Sequence, residues 1–431
     1  MAEGLKKWGV LGTATILYLI YAAFLYQQAP LAEFYDTDDY VRISQYPVSS
    51  PSFWMDRKPA AGPLLYKIFN SDLSRIAFFQ WVLATFSWFT FAATLMLLVN
   101  HRVLKPLIFV SFLLMSLSPQ IFIWHKLLLS ESPATSLFVL VLSAWILLLG
   151  KMRCQTLTSP GKAALIVGFL ALAVLWSFFR DIHLYFMLGA GVCAIMCQLF
   201  FRTRLPLIPL GLGFLAIFAV QNHFSHGSGR WTDPLAHVLT KRILPNPTAT
   251  QWFANHGMPQ GPEIMELAGR FANPQEQARF EPWLTDRGKG VYARYLISHP
   301  VNSISAPVLH LEQLFDRDLS TYAKWQMPAI QRLPGILFFS PILIWFITFC
   351  ILIGVVWFRR KYLDIIWHIP IILLFLTAPL IFISWHGDTM EIARHAFGAN
   401  LQARLALFFG LFLATDRLIF NQSTRSPIRE K

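Results

Sequence analysis

The chain has 431 residues, 55% of them hydrophobic and 14% charged, with a mean hydropathy of +0.49 and a formal net charge of +13. Soluble domains carry about 25% charged residues, and apolar runs of about 20 residues, enough for a helix to cross a bilayer, recur along this chain. That excludes a soluble globular class and a β-barrel, whose strands alternate and are about half that length; the basic residues sit in short clusters between apolar runs, a positive-inside pattern rather than a nucleic-acid footprint.

Trp8 to Tyr26 predicts the first span. Lys6 and Lys7 before it place the N-terminus in the cytoplasm. The run is too long for a signal peptide, and Gln27, Gln28, Ala29 and Pro30 offer no cleavage site, so it reads as a signal anchor. Residues 27–75 then form the first outer loop. Here Glu33, Asp36, Asp38 and Asp39 crowd into a few positions, followed by Trp54, Asp56, Arg57, Lys58 and Pro59, and Leu64 to Phe69 reads as a short interfacial helix.

Further spans are expected over Ile76 to Val99, over Pro106 to Trp124 with Pro119 kinking its outer end, and over Ala134 to Gly150, Ala163 to Phe179, Leu184 to Phe201 and Leu205 to Gln221. Residues 223–335 are rich in Pro, Gly, Trp and mixed charge, with too many aromatics for a disordered linker. They read as an ordered outer segment with amphipathic helices over Glu263 to Phe271 and Val291 to Ile297. Residues 336–431 add spans over Ile336 to Phe358, Leu363 to Ser384 and Leu401 to Leu418, with an outer turn from Trp385 to Asn400.

The expected fold is therefore all-α: a polytopic membrane protein of about ten spans, with residues 1–222 and 336–431 as membrane modules and 223–335 outside, between spans seven and eight. Charge supports this topology. Of the 23 Asp and Glu, only Glu3, Asp364, Asp416 and Glu430 fall inside, while every short inner loop carries Lys or Arg. Both termini are then cytoplasmic. The two-sided pattern, with no retention signal at the tail, suits a bacterial inner membrane.

The four cysteines imply no disulfide framework, because Cys154 lies in a basic loop and Cys193, Cys197 and Cys350 lie in apolar runs. His310 and Glu312 are too close in sequence to share a helix face and read as surface residues. His125 and Lys126 would either meet a phosphate or anchor the interface. Trp231 and Trp252 could stack on a sugar, although nothing in the sequence singles them out. No nucleotide loop, zincin helix or nucleophile elbow is present.

The outer turns concentrate ionisable groups at predicted helix ends: Asp36, Asp38 and Asp39 in the first loop, Glu131 in the turn Trp124 to Pro133, then Arg180, Asp181 and His183, and finally Asp388, Glu391, Arg394 and His395. Charges at a membrane boundary are costly and commonly functional. Carboxylates and guanidinium groups in one outer-leaflet cavity suit a lipid phosphate ligand. Arg binds phosphate bidentately and stays charged, and a carboxylate can take a proton from a hydroxyl or hold a divalent cation. Two rival classes remain. A transporter or lipid flippase would carry paired halves and midplane charges, and neither is visible. A non-catalytic scaffold would not need the acids.

In layout and in local motifs the chain resembles the GT-C superfamily of integral-membrane glycosyltransferases, which includes protein O-mannosyltransferases and lipid A aminoarabinose transferases. Asp36-Thr37-Asp38-Asp39-Tyr40 resembles the acidic first-loop motif of that family, with an Asp four residues before a Tyr; Thr37 stands where many members have a second acid. Ser130-Glu131 resembles the acid at the start of the fourth span. Arg180 and Arg394-His395 resemble the basic positions that meet the lipid phosphate. The resemblance implies a polyprenyl-phosphate sugar donor and a lipid, glycan or protein acceptor at the outer face. Arg180, Arg394 and His395 would hold the phosphate, Asp36 or Asp39 would act as base in an inverting displacement, and Glu131 would orient the acceptor or a metal. Tyr40, Asp181, His183, Asp388 and Glu391 would line the cavity. Changing Asp36 and Asp39 to Asn would then abolish transfer in a protein that still folds and inserts.

Overall fold

The computed structural model describes residues 2–153, 159–201, 207–315, 335, 354 and 365–423. The described residues are helical, with no strand among them, and an isolated parallel bridge joins Ala32 to Leu127. The span expected over Ile336 to Phe358, the basic loop around Cys154, and Cys350 lie outside the described residues. Helix α1 covers Ala2–Gln28 and contains the expected first span.

The first loop is built of short helices. In α2 (Tyr35–Ser44) the acids follow the chain into a helix rather than a coil. Phe34 N–H donates to Thr37 Oγ1 at 3.0 Å, and Asp36 and Asp38 sit in the first turn, where the helix dipole favours negative charge. Next come α3 (Ala61–Ile68), which contains most of the expected interfacial helix, and α4 (Leu73–Leu98), N-capped by Asp72 accepting from Arg75 N–H at 3.0 Å.

The bridge ties this loop to the bundle. Ala32 N–H donates to Lys126 O and Leu128 N–H to Ala32 O, both at 3.1 Å. The Leu128 carbonyl also accepts from the Thr37 hydroxyl at 3.1 Å and from the Tyr66 hydroxyl at 2.9 Å. This arrangement fixes α2 beside the turn that precedes Glu131.

The remaining long helices are α5 (Leu104–Ser116), α6 (Glu131–Arg153), α7 (Ser159–Ser177), α8 (Ile182–Phe201), α9 (Leu207–Gly227), α10 (His368–Gly387) and α11 (Ile392–Ser423). Seven described helices, α4 and α6 to α11, are long and apolar enough to cross a membrane. The count becomes eight if α5 and the short helical piece after it, bent by 54° at Pro119, form one span. The predicted Pro119 kink is therefore present. Between α8 and α9 the backbones touch: a Cβ on Gly211 would stand 2.8 Å from the Gly191 carbonyl oxygen, so only glycine permits the approach. Cys193 and Cys197 on α8 are free thiols and only half-buried.

Two boundaries differ from expectation. Helix α11 begins at Ile392, not Leu401, so Arg394 and His395 lie on a helix rather than in a turn. The expected helix over Glu263 to Phe271 shrinks to Pro262–Met265, and Gly269 at φ +82° turns the chain away. The segment after α9 has an apolar core of its own around Leu239, Phe253, Leu267 and Phe280. Its helices include α12 (Thr232–Val238) and α13 (Lys289–Ser298), both preceding α10 in the chain, and α13 contains the predicted Val291 to Ile297 helix. The segment docks on the end of α10, where Tyr292 Oη and His386 Nδ1 lie 3.1 Å apart and His386 Nε2 stands 2.9 Å from the Ser303 carbonyl.

Candidate functional site

At the bundle end that carries α2, the Arg394 guanidinium meets three carboxylates from three parts of the chain. Nη2 donates to Asp36 Oδ2 at 2.5 Å, Nε to Glu131 Oε1 at 2.6 Å, and Nη1 to Glu391 Oε2 at 2.7 Å. A planar fork with fixed donors suits this, whereas a lysine could serve only as a point charge. Arg180, in the turn before α8, brings Nη1 to 3.0 Å from the same Glu131 oxygen. Its Nη2 lies 3.2 Å from His395 Nδ1. Because a guanidinium can only donate, His395 Nδ1 accepts, and its proton sits on Nε2, 3.3 Å from Asp388 Oδ2. Asp388 is further held by the Thr389 and Met390 N–H groups at 2.6 and 2.9 Å, with His237 Nδ1 at 3.8 Å from its Oδ1.

The second oxygen of Asp36 accepts from Lys58 Nζ at 2.5 Å, so both of its oxygens are engaged. Burial pushes this carboxyl up, but Arg394 and Lys58 together outweigh burial and hold it below the ordinary carboxylate range. Asp388 is likewise pushed up by burial and brought down further by His237, His395 and the Met390 N–H. Asp181 differs: burial raises it, and Arg230 offsets only part of the rise.

A cavity of about 310 Å³ opens between the bundle end and the segment after α9, within the range of small-molecule pockets, roughly 300–1,000 Å³. Asp36, Tyr40, Lys58, Arg180, Asp181, Asp388, Arg394 and His395 line it, together with Arg230, Trp231 and Lys289. A smaller cavity of about 40 Å³ lies deeper, against Glu131, Arg180, His183 and His395.

Most of the sequence-predicted residues thus converge, with some changes of position. Asp38 is exposed, two residues from Asp36 and hence on the other side of α2. Asp39 is outside the cavity lining, with Oδ1 3.1 Å from Arg42 and Oδ2 3.7 Å from Lys58. Glu131 is buried beneath the main cavity, joined to two guanidinium groups, so it orients them and does not face a ligand in that cavity. Glu391, at φ +49°, accepts from Tyr35 and Arg394. His183 stacks on Trp176 with its Nδ1 3.0 Å from the Trp176 carbonyl, a packing role. His125 is buried with Nδ1 2.8 Å from Ser132 Oγ and lines neither of these two cavities, while Lys126 lies over the Tyr26 ring at 4.0 Å. Of the two tryptophans, Trp231 reaches the cavity and Trp252 stacks on His256 instead.

Lys58, Arg230, His237 and Lys289 were not singled out by sequence. Lys58 carried a weak signal, since it closes the charged run Asp56-Arg57-Lys58 of the first loop. The others lie in a mixed-charge segment where nothing local marks them. Among the described residues no cluster of three or more His, Cys, Asp or Glu side chains could hold a metal ion. The carboxylates near Arg394 are already neutralised by cations.

Fold and site together define an all-helical, multi-pass membrane protein with a charge-lined cavity at one end of its bundle. No protein-family model and no curated protein matches the chain.

Proposed function

We propose that the chain is a membrane-embedded glycosyltransferase that moves a sugar from a polyprenyl-phosphate donor to a cell-envelope acceptor at the outer face of an inner membrane. The observation that carries this reading is the cavity itself, in which Lys58, Arg180, Arg394 and His395 face the same space as the Asp36 carboxylate. Cations concentrated at a helix-bundle end suit a lipid phosphate. The carboxylate among them suits proton removal from an acceptor.

In this reading the donor phosphate enters against Arg180 and Lys58. The acceptor hydroxyl oxygen attacks the anomeric carbon, the bond from that carbon to the phosphate oxygen breaks, and the phosphate leaves with the electron pair. The hydroxyl proton passes to Asp36. Asp36 is the better base candidate because it faces the cavity and Asp39 does not. Arg394 and Lys58 hold its basicity down, and an arriving phosphate competes for both cations. Asp36 would then regain basicity only with donor bound. A transporter or flippase remains the second reading, since the same cavity could pass a phosphate headgroup without chemistry.

The test is titration of the purified protein, in detergent, with polyprenyl phosphate, comparing wild type and Arg180→Ala. Losing a hydrogen bond to a charged group costs about 1.5–3 kcal/mol, so binding should weaken by at least tenfold. A screen of polyprenyl-phosphate sugars for transfer follows. Absence of saturable binding to the wild type would remove the reading, and binding without transfer of any sugar would favour transport.

A further inference from the structure

The cavity has a second cationic pole, which the donor phosphate does not need. It is formed by Arg230, just after α9, and Lys289, at the start of α13, with Trp231 beside them. The Arg230 side chain is only 5% exposed, yet its Nη1 has no hydrogen-bond partner. Its Nε stands 2.7 Å from Asp181 Oδ2 but off hydrogen-bond alignment. A buried guanidinium with idle donors is costly unless something fills them. Lys289 is exposed, forms no ion pair among the described residues, and holds its ammonium 5.6 Å from the centre of the Trp231 ring. Asp181, the residue after Arg180 in the chain, carries the carboxylate that faces Arg230 and lines the same cavity.

The poles also belong to different parts of the molecule. Lys58, Arg180 and Arg394 come from the first loop and the helix ends, whereas Arg230, Trp231 and Lys289 all come from the segment after α9. From this placement we infer that Arg230 and Lys289 form an oxyanion subsite for the acceptor. The acceptor is then an acidic sugar or glycolipid bearing a phosphate or carboxylate, with its ring against Trp231. Arg supplies the forked donors, Lys the point charge, and an aromatic face suits the apolar side of a sugar ring. The assignment to the acceptor rests on the transferase reading above; the subsite itself does not.

Two ligand families separate these possibilities. The protein in lipid nanodiscs is titrated calorimetrically with glucose 6-phosphate, glucuronate and glucose, first alone and then with saturating polyprenyl phosphate. Variants are Arg230→Gln, Lys289→Gln and Arg180→Ala, each checked for an unchanged melting temperature. The expected result is binding of an anionic sugar but not of glucose. That binding should persist when polyprenyl phosphate is present, fall at least tenfold in Arg230→Gln and Lys289→Gln, and hold in Arg180→Ala. The phosphate and carboxylate probes then report which oxyanion the subsite prefers.

Arg230→Gln leaves Asp181 without its cation, so an Arg230→Gln, Asp181→Asn variant serves if the single change fails to fold. Lys289→Gln disturbs no buried pair. The inference is overturned if neither anionic sugar binds, if polyprenyl phosphate displaces it, or if the pole variants weaken polyprenyl phosphate as strongly as the sugar. Loss of polyprenyl phosphate binding with the anionic-sugar pattern intact would remove the transferase reading and leave the subsite standing.

Discussion

Arg394 and Asp36 are buried charges whose cost is met only by each other and by their neighbours. Removing one member of such a group leaves the rest buried and unpaired, at about 3–5 kcal/mol. Arg394→Ala should therefore lower the melting temperature in detergent sharply. Arg42→Ala should not, because its side chain is 45% exposed in its pairs with Asp39 and Asp56 and such pairs contribute about 0–1 kcal/mol. Equal losses in the two variants would show that the buried group does not hold this end together. The same logic revises the expectation for the double Asn variant. Asp36→Asn strips a partner from both Arg394 and Lys58, so lost activity would come mixed with lost stability, and Asp39→Asn is the cleaner comparison. Asp36 also sets a pH dependence. Its folded pKa lies below the usual value, so its contribution to stability is present above the unfolded value, about 3.9. That contribution is lost as pH falls through the lower folded value. Melting temperature should stay level from neutrality to about pH 5 and drop below about pH 4, with a shallower acid limb in Asp36→Asn.

Among the helices, the α8–α9 contact sets backbone against backbone. A methyl group at Gly211 would press on the Gly191 carbonyl, a backbone atom that cannot rotate away. Gly211→Ala should cost on the order of 1–3 kcal/mol through overpacking. Gly168→Ala on α7 meets no atom within 4 Å and should be neutral, or stabilising by up to about 1 kcal/mol from helix propensity. Thermal unfolding of both variants checks this, and similar outcomes would contradict the close approach. At the other end of α11, Asp416 is buried and accepts from the N–H groups of Asn100 and His101 at 2.9 and 2.7 Å. It is one of the few acids expected inside, and in the structure it serves as an acceptor for the chain end of α4.

At the scale of the molecule, α11 is long and apolar enough for one membrane crossing. The 22-residue step from Arg394 to Asp416 spans roughly 33 Å at 1.5 Å per residue, close to the hydrocarbon thickness of about 30 Å. That length suits one crossing, with a charged assembly at each end of it. In a background with all four cysteines changed to serine, Asp38→Cys should react with a membrane-impermeant thiol reagent applied from outside. Arg102→Cys should react only after permeabilisation. Both positions are exposed, so the reversed pattern would invert the orientation and place the cavity on the cytoplasmic side.

The sequence by itself determined the all-helical, membrane-spanning class and most of the ionisable residues that gather at the cavity. Membrane-crossing length and hydropathy are sums over contiguous residues, and the Pro119 break is local backbone chemistry. The same local sum missed the start of α11 by nine residues, because Arg394 reads as a surface charge until its three carboxylate partners are in place. Only the tertiary structure decided which acids face inward. Asp36 and Arg394 are 358 positions apart, and no local pattern can pair them. Asp38 and Asp36 look alike in the chain and differ only by which side of α2 they occupy. Lys58, Arg230 and Lys289 gain meaning from a shared cavity wall, and that wall exists only once the segment after α9 has folded back onto the bundle.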